Sequence, residues 1–321
     1  MASPPTSDTA SNYRLSDEQS QQILTTRIIP AELPPRRRPV SDPQSLLLVG
    51  QTGSGKSRLS SQLLSALARQ GGDRDGVAHL VADTFKTYHP AYAHVASSSS
   101  SRWASVVTGP DARRWLLMAA EEVVRRRAHV LVESACRHAV DFVQLVTLFR
   151  EARYRLVVLV MAVPEGLSRL GIAVRFFVPA PERSLLEARL TPAAVHDESY
   201  RGLIEAAAFL DENPAVTDRL LVVRRGGLVV PCPSEGALVT ALRTERERPL
   251  TEEESSRATD DLERLAGFDG AKDLLHDIRT LLRPLMGQGT DRSQFSELMP
   301  LEIAVAGEER GGYNVLQLGG A

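Results

Sequence analysis

Residues 50–57 read Gly-Gln-Thr-Gly-Ser-Gly-Lys-Ser and satisfy the spacing G-x-x-x-x-G-K-[ST] without a mismatch. Ser45-Leu46-Leu47-Leu48-Val49 precedes it, a short apolar run of the kind buried in a parallel sheet. Helical periodicity from Ser57 to Ala68 follows. Strand, glycine-rich loop and helix in that order make a phosphate cradle. Glycines permit backbone conformations closed to other residues, so successive N–H groups converge on an anion. The helix aims its positive end at the same point. Lys56 is placed to reach the β- and γ-phosphates of ATP, and the Ser57 hydroxyl to ligate Mg²⁺. Gly50, Gln51, Thr52, Gly53, Ser54, Gly55 and Arg58 complete the expected nucleotide-binding set. Lysine occurs only at 56, 86 and 272, so its place in the motif is hard to assign to chance. The motif alone does not separate a kinase from an NTPase or a nucleotide-driven switch.

The surrounding pattern alternates. Val77 to Ala82 reads as a second strand, Arg113 to Arg126 as a helix and Val130-Leu131-Val132 as a third strand. A helix from Val140 to Ala152 and a strand from Leu156 to Ala162 follow. This rhythm predicts an α/β fold, a three-layer P-loop NTPase or kinase with a mostly parallel sheet. Leu220–Val223 and Leu228–Val230, joined across Gly226-Gly227, predict a late hairpin. Residues 1–14 read as a disordered tail, and Ser16 with Gln19 as a capping box opening a helix to about Arg27, closed by Pro30. Arg36, Arg37 and Arg38 fall in an extended linker, and the Ser97–Ser101 run is expected to be a loop. The kinase domain is placed at 15–247. Residues 248–321 form a helical extension that opens at Thr251-Glu252-Glu253-Glu254 and ends in a stretch, Glu302–Ala321, with little packing signal.

Composition narrows the partners. With 24% charged residues and a formal net charge of −2, nothing pulls the whole chain toward nucleic acid or anionic membrane, and neither is expected as a partner. No apolar run is long enough to span a bilayer and no leader pattern opens the chain, so the expected compartment is the cytoplasm. Cys136 and Cys232 lie far apart and read as reduced, structural thiols.

Two strand-end acids are candidates for the acceptor side. Asp83 follows the second strand, where it can take a proton from an acceptor hydroxyl or simply cap the next helix. Glu133 follows the third strand and can hold Mg²⁺ through water or hydrogen-bond the acceptor.

Several further motifs resemble the zeta toxin family, P-loop kinases of bacterial toxin–antitoxin systems. Asp83-Thr84-Phe85-Lys86 with His89-Pro90 is similar to that family's D-T-F-K…H-P element, and Glu133-Ser134-Ala135-Cys136-Arg137 to its E-G-T-x-R. Leu170-Gly171-Ile172 leading to Arg175, and Ala188-Arg189-Leu190-Thr191-Pro192 with His196-Asp197, resemble later elements in order. The resemblance spans about Arg14 to Leu242. It implies a kinase that phosphorylates a sugar hydroxyl of UDP-N-acetylglucosamine or a similar nucleotide sugar. Asp83 would be the base, and Lys86, Glu133 and Arg137 would bind substrate. Lys56, Arg175 and Arg189 would meet the charge on the transferred phosphoryl group. It also implies an antitoxin that blocks the ATP site, with residues 15–27 as a possible contact. Ser134-Ala135 stands where the family has Gly-Thr, and Phe176 where it has Tyr. These departures leave open another acceptor, a dinucleotide or an RNA end, and a non-catalytic ATP-binding module. His89 and His196 read as structural.

Overall fold

The computed structural model describes residues 13–35, 39–70, 76–97, 104–179, 190–231, 236–287, 293, 295–305, 307–308 and 310–319. Five parallel strands form its centre: β1 (Gln44–Val49), β2 (Val77–Val81), β3 (His129–Ser134), β4 (Arg155–Met161) and β5 (Arg219–Val223). β6 (Leu228–Val230) and β7 (Met299–Pro300) extend the sheet antiparallel, giving the order β2-β3-β1-β4-β5-β6-β7. β1 lies between β3 and β4 and is buried at every residue, which explains its unbroken apolar run.

Successive residues of β1 serve opposite layers. Leu47 and Val49 pack with Trp115, Phe142 and Phe149, whereas Leu46 and Leu48 pack with Leu63, Leu67 and Leu170. The first layer is built from α1 (Asp17–Ile23), α3 (Ala104–Arg126), α4 (Ala139–Glu151), α6 (Ala193–Glu212) and α7 (Leu238–Glu247). The second holds α2 (Lys56–Gln70), α5 (Glu165–Phe177), α8 (Glu252–Ala266) and α9 (Lys272–Leu282). The chain leaves β1 for β2, beyond β3, and returns to β4 on the other side. The loop after β1 therefore opens where the strand order reverses, the usual ligand crevice of such sheets.

Several boundaries differ from the sequence reading. The Ser16 capping box is present, but the helix does not stop at Arg27. It passes through a π-helical turn, Leu24–Ile28, into Ile29–Glu32, and Pro30 sits in the first turn of that last piece, where a missing N–H is tolerated. Ser20 and Ile28 are fully buried, and Trp115 Nε1 donates to Ser20 O at 3.0 Å, so one face of this segment is committed to the core. α3 begins at Ala104, with Pro110 inside it. β2 ends at Val81, and Ala82 already belongs to a one-turn helix, Ala82–Phe85.

The extension after Arg248 shares the core of the sheet. Thr251 and Glu254 form a capping box that starts α8. Leu265, Ile278, Leu282, Leu316 and Leu318 are at most 1% exposed in the same cluster as Leu46 and Leu48. At about 2 kcal/mol for each such side chain their burial is worth roughly 10 kcal/mol, comparable to the whole net stability of a domain. The expectation of little packing after Glu302 is therefore corrected. β8 (Glu302–Ala304) and β9 (Val315–Gln317) pair in parallel, and Ala304 and Leu316 are fully buried. No helix among the described residues is long and apolar enough to cross a membrane.

Candidate active site

The P-loop is held by side chains that face protein. Gln51, fully buried, donates from Nε2 to Val163 O at 2.6 Å, and Ser54 Oγ contacts Met161 Sδ at 3.6 Å. Thr52 N donates to Ser199 Oγ at 3.2 Å, tying the loop to α6. Gln51 and Ser54 thus brace the loop through their side chains and can meet a ligand only with their backbone. Gly53 and Gly55 have φ of +82° and +94°, the left-handed region that favours glycine. Gly53 also packs against α5, where a Cβ would lie 2.1 Å from Ser168 O. Ser57 and Arg58 are exposed in the first turn of α2, an open position for the Ser57 hydroxyl.

Lys56 curls over the loop, donating from Nζ to Gly50 O at 2.6 Å and Gln51 O at 3.3 Å. Burial pushes its pKa down, Glu133, Asp83 and Cys136 pull it up, and Arg175 pushes it down. These couplings bring Lys56, Asp83, Glu133 and Arg175 into one electrostatic neighbourhood, although they come from four separate segments. Arg175 sits in the last turn of α5.

Glu133 is 6% exposed at the end of β3, and its Oε1 lies 2.9 Å from His79 Nε2. Burial opposes its ionisation. The hydrogen bond from His79, the Lys56 charge and the Ser60 hydroxyl outweigh burial, so its pKa falls below the ordinary carboxylate value. An ionised carboxylate and the exposed Ser57 hydroxyl are the oxygen donor types that suit a hard cation such as Mg²⁺. Sequence reasoning missed His79. Its one signal was a polar residue within an apolar strand, and its partner lies 54 positions away.

Asp83 is not at the strand end. It lies in the first turn of Ala82–Phe85, whose N-cap is Val81, so it does not cap that helix. Its carboxylate is 59% exposed and pairs with Lys86. Arg137 pairs with Glu198 of α6, which places its guanidinium beside the turn after β3. That turn comes close to α6 at Gly202, where a Cβ would lie 2.1 Å from Cys136 O. Cys136 itself has φ of +48°, and burial raises its thiol pKa to about 12, in keeping with an inert structural thiol. Beyond the turn, Arg14, Arg113, Arg114 and Asp141 line an open cavity of about 280 Å³. Arg113 pairs with Asp141 at 2.9 Å and senses the charges of Arg137 and Arg14.

Both histidines singled out in the sequence are satisfied. His89 is buried between Tyr13 O and Asp111, at 3.1 and 3.4 Å. His196 Nε2 lies 2.8 Å from Ser168 Oγ, and Nδ1 lies 3.1 Å from Asp197. Glu165, His196 and Asp197 are near enough to hold a cation, but Arg169 already bridges the two carboxylates at 2.8 and 2.7 Å. Arg189, Cys232, Arg36, Arg37, Arg38 and residues 98–101 lie outside the described residues.

Sheet order, loop and flanking layers define the P-loop kinase fold. A solved structure from the PezAT chromosomal toxin–antitoxin system of Streptococcus pneumoniae shares it, with a TM-score of 0.60 at 15% identity, covering 80% of this chain and 99% of that one. Residues 31–233 match the zeta toxin family, and the chain belongs to it. The toxin zeta of Enterococcus hirae is 27% identical over 61% of this chain and 65% of its own length, so the chain spans a little under two thirds of that relative. The toxin zeta of Streptococcus pyogenes is 26% identical over 68% of this chain and 72% of its own length.

Proposed function

We propose that the chain is an ATP-dependent phosphotransferase that acts on a hydroxyl of UDP-N-acetylglucosamine or a similar nucleotide sugar, in the cytoplasm and under the control of an antitoxin partner. The observation that carries this reading is the P-loop with Lys56 folded onto Gly50 O and Gln51 O, flanked by two acids that follow or end strands, Asp83 and Glu133, whose charges act on Lys56. An NTPase needs the lysine and a water, whereas a kinase also needs a carboxylate facing an acceptor.

In this reading the P-loop backbone and Lys56 hold the β- and γ-phosphates. Ser57 would hold Mg²⁺ through its hydroxyl, with Glu133 assisting through water, and the ion would neutralise charge on the phosphate oxygens. Asp83 takes the proton of the acceptor hydroxyl as its oxygen bonds to the γ-phosphorus and the bond to the β–γ bridging oxygen breaks. Positive charge from Lys56 and Arg175, with Arg189, offsets the charge that spreads over the transferred group, an effect worth about 10³–10⁵ in rate for one well-placed arginine. The cavity beside Arg14 and Arg113, with Arg137 close by, supports an acceptor that carries phosphates of its own. Lys86, a substrate-binding residue in this reading, pairs with the Asp83 carboxylate.

Expression in a bacterial host tests the toxin reading. The wild-type chain is expected to arrest growth and Asp83→Ala to permit it. Arrest by both alike would remove the catalytic base from the account.

A further inference from the structure

Arg225 comes from the β5–β6 hairpin, far along the chain, yet its guanidinium lies on the P-loop. Nη2 donates to Gly53 O, and the side chain passes within contact distance of Gly55, 3.7 Å from Nε to the position a Cβ would take there. Room for this approach comes from glycine on α5. A Cβ at Gly171 would lie 2.6 Å from Arg225 Nη2 and 2.7 Å from Gly53 O. Nε of Arg225 is buried and has no hydrogen-bond partner among the described residues. A half-buried cation whose Nε–H is shut off from water and unsatisfied is costly, and nothing in core packing calls for one.

The hairpin is fixed from behind by the C-terminal extension. The neighbouring Arg224 is fully buried and donates to Glu245 O at 2.6 Å and to Glu254 Oε2 of α8 at 2.8 Å. Glu245 in turn takes both prongs of Arg248 at 2.6 and 2.8 Å, and Leu301 N donates to Gly227 O at 2.7 Å. Glu254 and Asp261 of α8 supply the negative charge that Arg225 feels. A carbonyl oxygen in a phosphate-binding loop repels the anion the loop must hold. A guanidinium bound to that oxygen cancels the repulsion and adds a positive charge beside the site.

We propose that Arg225 is a positioning residue of the nucleotide site, holding the P-loop through the Gly53 carbonyl, and that α8 fixes it there through Arg224 and Glu254. The C-terminal extension is thereby part of the machinery that binds the nucleotide triphosphate. This inference rests on the P-loop nucleotide reading above.

The test is calorimetric titration of the full chain with Mg·ATP, with thermal unfolding measured on the same samples. Arg225→Ala is expected to raise the Kd for Mg·ATP about tenfold or more, the usual scale for a hydrogen bond to a charged group. Arg225→Lys should recover part of that loss. Gly171→Ala, whose Cβ would crowd both the guanidinium and the Gly53 carbonyl, should weaken binding in the same direction. Glu254→Gln should weaken binding about threefold in the wild-type background and not at all in Arg225→Ala, because its effect passes through Arg225. If Arg225→Ala does not fold, Arg225→Lys carries the test. Lys56→Ala is the control. If Lys56→Ala abolishes binding while the Arg225 and Gly171 variants bind within twofold of wild type, this inference is wrong and the nucleotide reading stands. A wild-type chain that binds no Mg·ATP overturns both.

Discussion

Replacing Gly53 with alanine perturbs the P-loop in two ways that the structure separates. The backbone at Gly53 has φ of +82°, and an L-residue there costs about 1–2 kcal/mol. The added Cβ would also lie 2.1 Å from Ser168 O and 2.8 Å from Ile172 Cγ1. Ser168 O belongs to the backbone of α5, so the overlap cannot be relieved by a rotamer change and adds about 1–3 kcal/mol. Together these give roughly 2–5 kcal/mol, less whatever the loop recovers by moving away from α5. At about 2 °C per kcal/mol for a chain of this size, Tm should fall by about 4–10 °C. The loop can relax only by leaving the Arg225 and Ser199 contacts that position it, so Mg·ATP should restore less Tm to the variant than to wild type. The assay is thermal unfolding followed by circular dichroism, with and without Mg·ATP. A Gly53→Ala protein that melts within 1 °C of wild type and gains the same increment from Mg·ATP would refute the placement of the loop against α5.

Gly202→Ala should act on the other half of the site, because its Cβ would strike Cys136 O at 2.1 Å and displace the turn that carries Arg137. Its KM for the acceptor should rise several-fold while the Kd for Mg·ATP holds, as steady-state kinetics and calorimetry would show. Glu133 has a lowered pKa in the folded chain, so its contribution to stability is complete above its ordinary value and is lost as pH falls through the folded value. The stability difference between wild type and Glu133→Gln in urea should therefore shrink as pH drops from 7 to below 4.5, and a constant difference would contradict the His79 and Lys56 couplings. The Cys136 thiol, raised to about 12, should resist alkylation at neutral pH in the folded chain and react once the chain is denatured, as peptide mass spectrometry would read.

The P-loop half of the candidate site was legible in the sequence because it is local. β1, the P-loop and α2 are consecutive, and their pattern needs no long-range partner. The parallel sheet was equally readable, since each strand is a short apolar run with a helix after it. What was not legible depends on segments that meet only in the fold. His79 reaches Glu133 across two strands, and Arg225 reaches Gly53 across 172 positions. Neither has a motif around it. Asp83 was read as a strand end because Val77 to Ala82 is apolar apart from His79. The chain instead turns helical at Ala82, which leaves the carboxylate exposed beside Lys86. The packing of the β8–β9 pair was hidden for a related reason. Its strands have three residues each, too short for a period to show, and they are buried by elements far from them in sequence.

The most direct test of the central claim is to incubate the purified chain with Mg·ATP and UDP-N-acetylglucosamine and weigh the sugar nucleotide by mass spectrometry. Lys56→Ala and Asp83→Ala run alongside. The account predicts a product heavier by one phosphoryl group with wild type and none with either variant. ATP binding with no phosphorylated acceptor would contradict the nucleotide-sugar assignment, and product formation by Asp83→Ala at the wild-type rate would contradict the role given to Asp83.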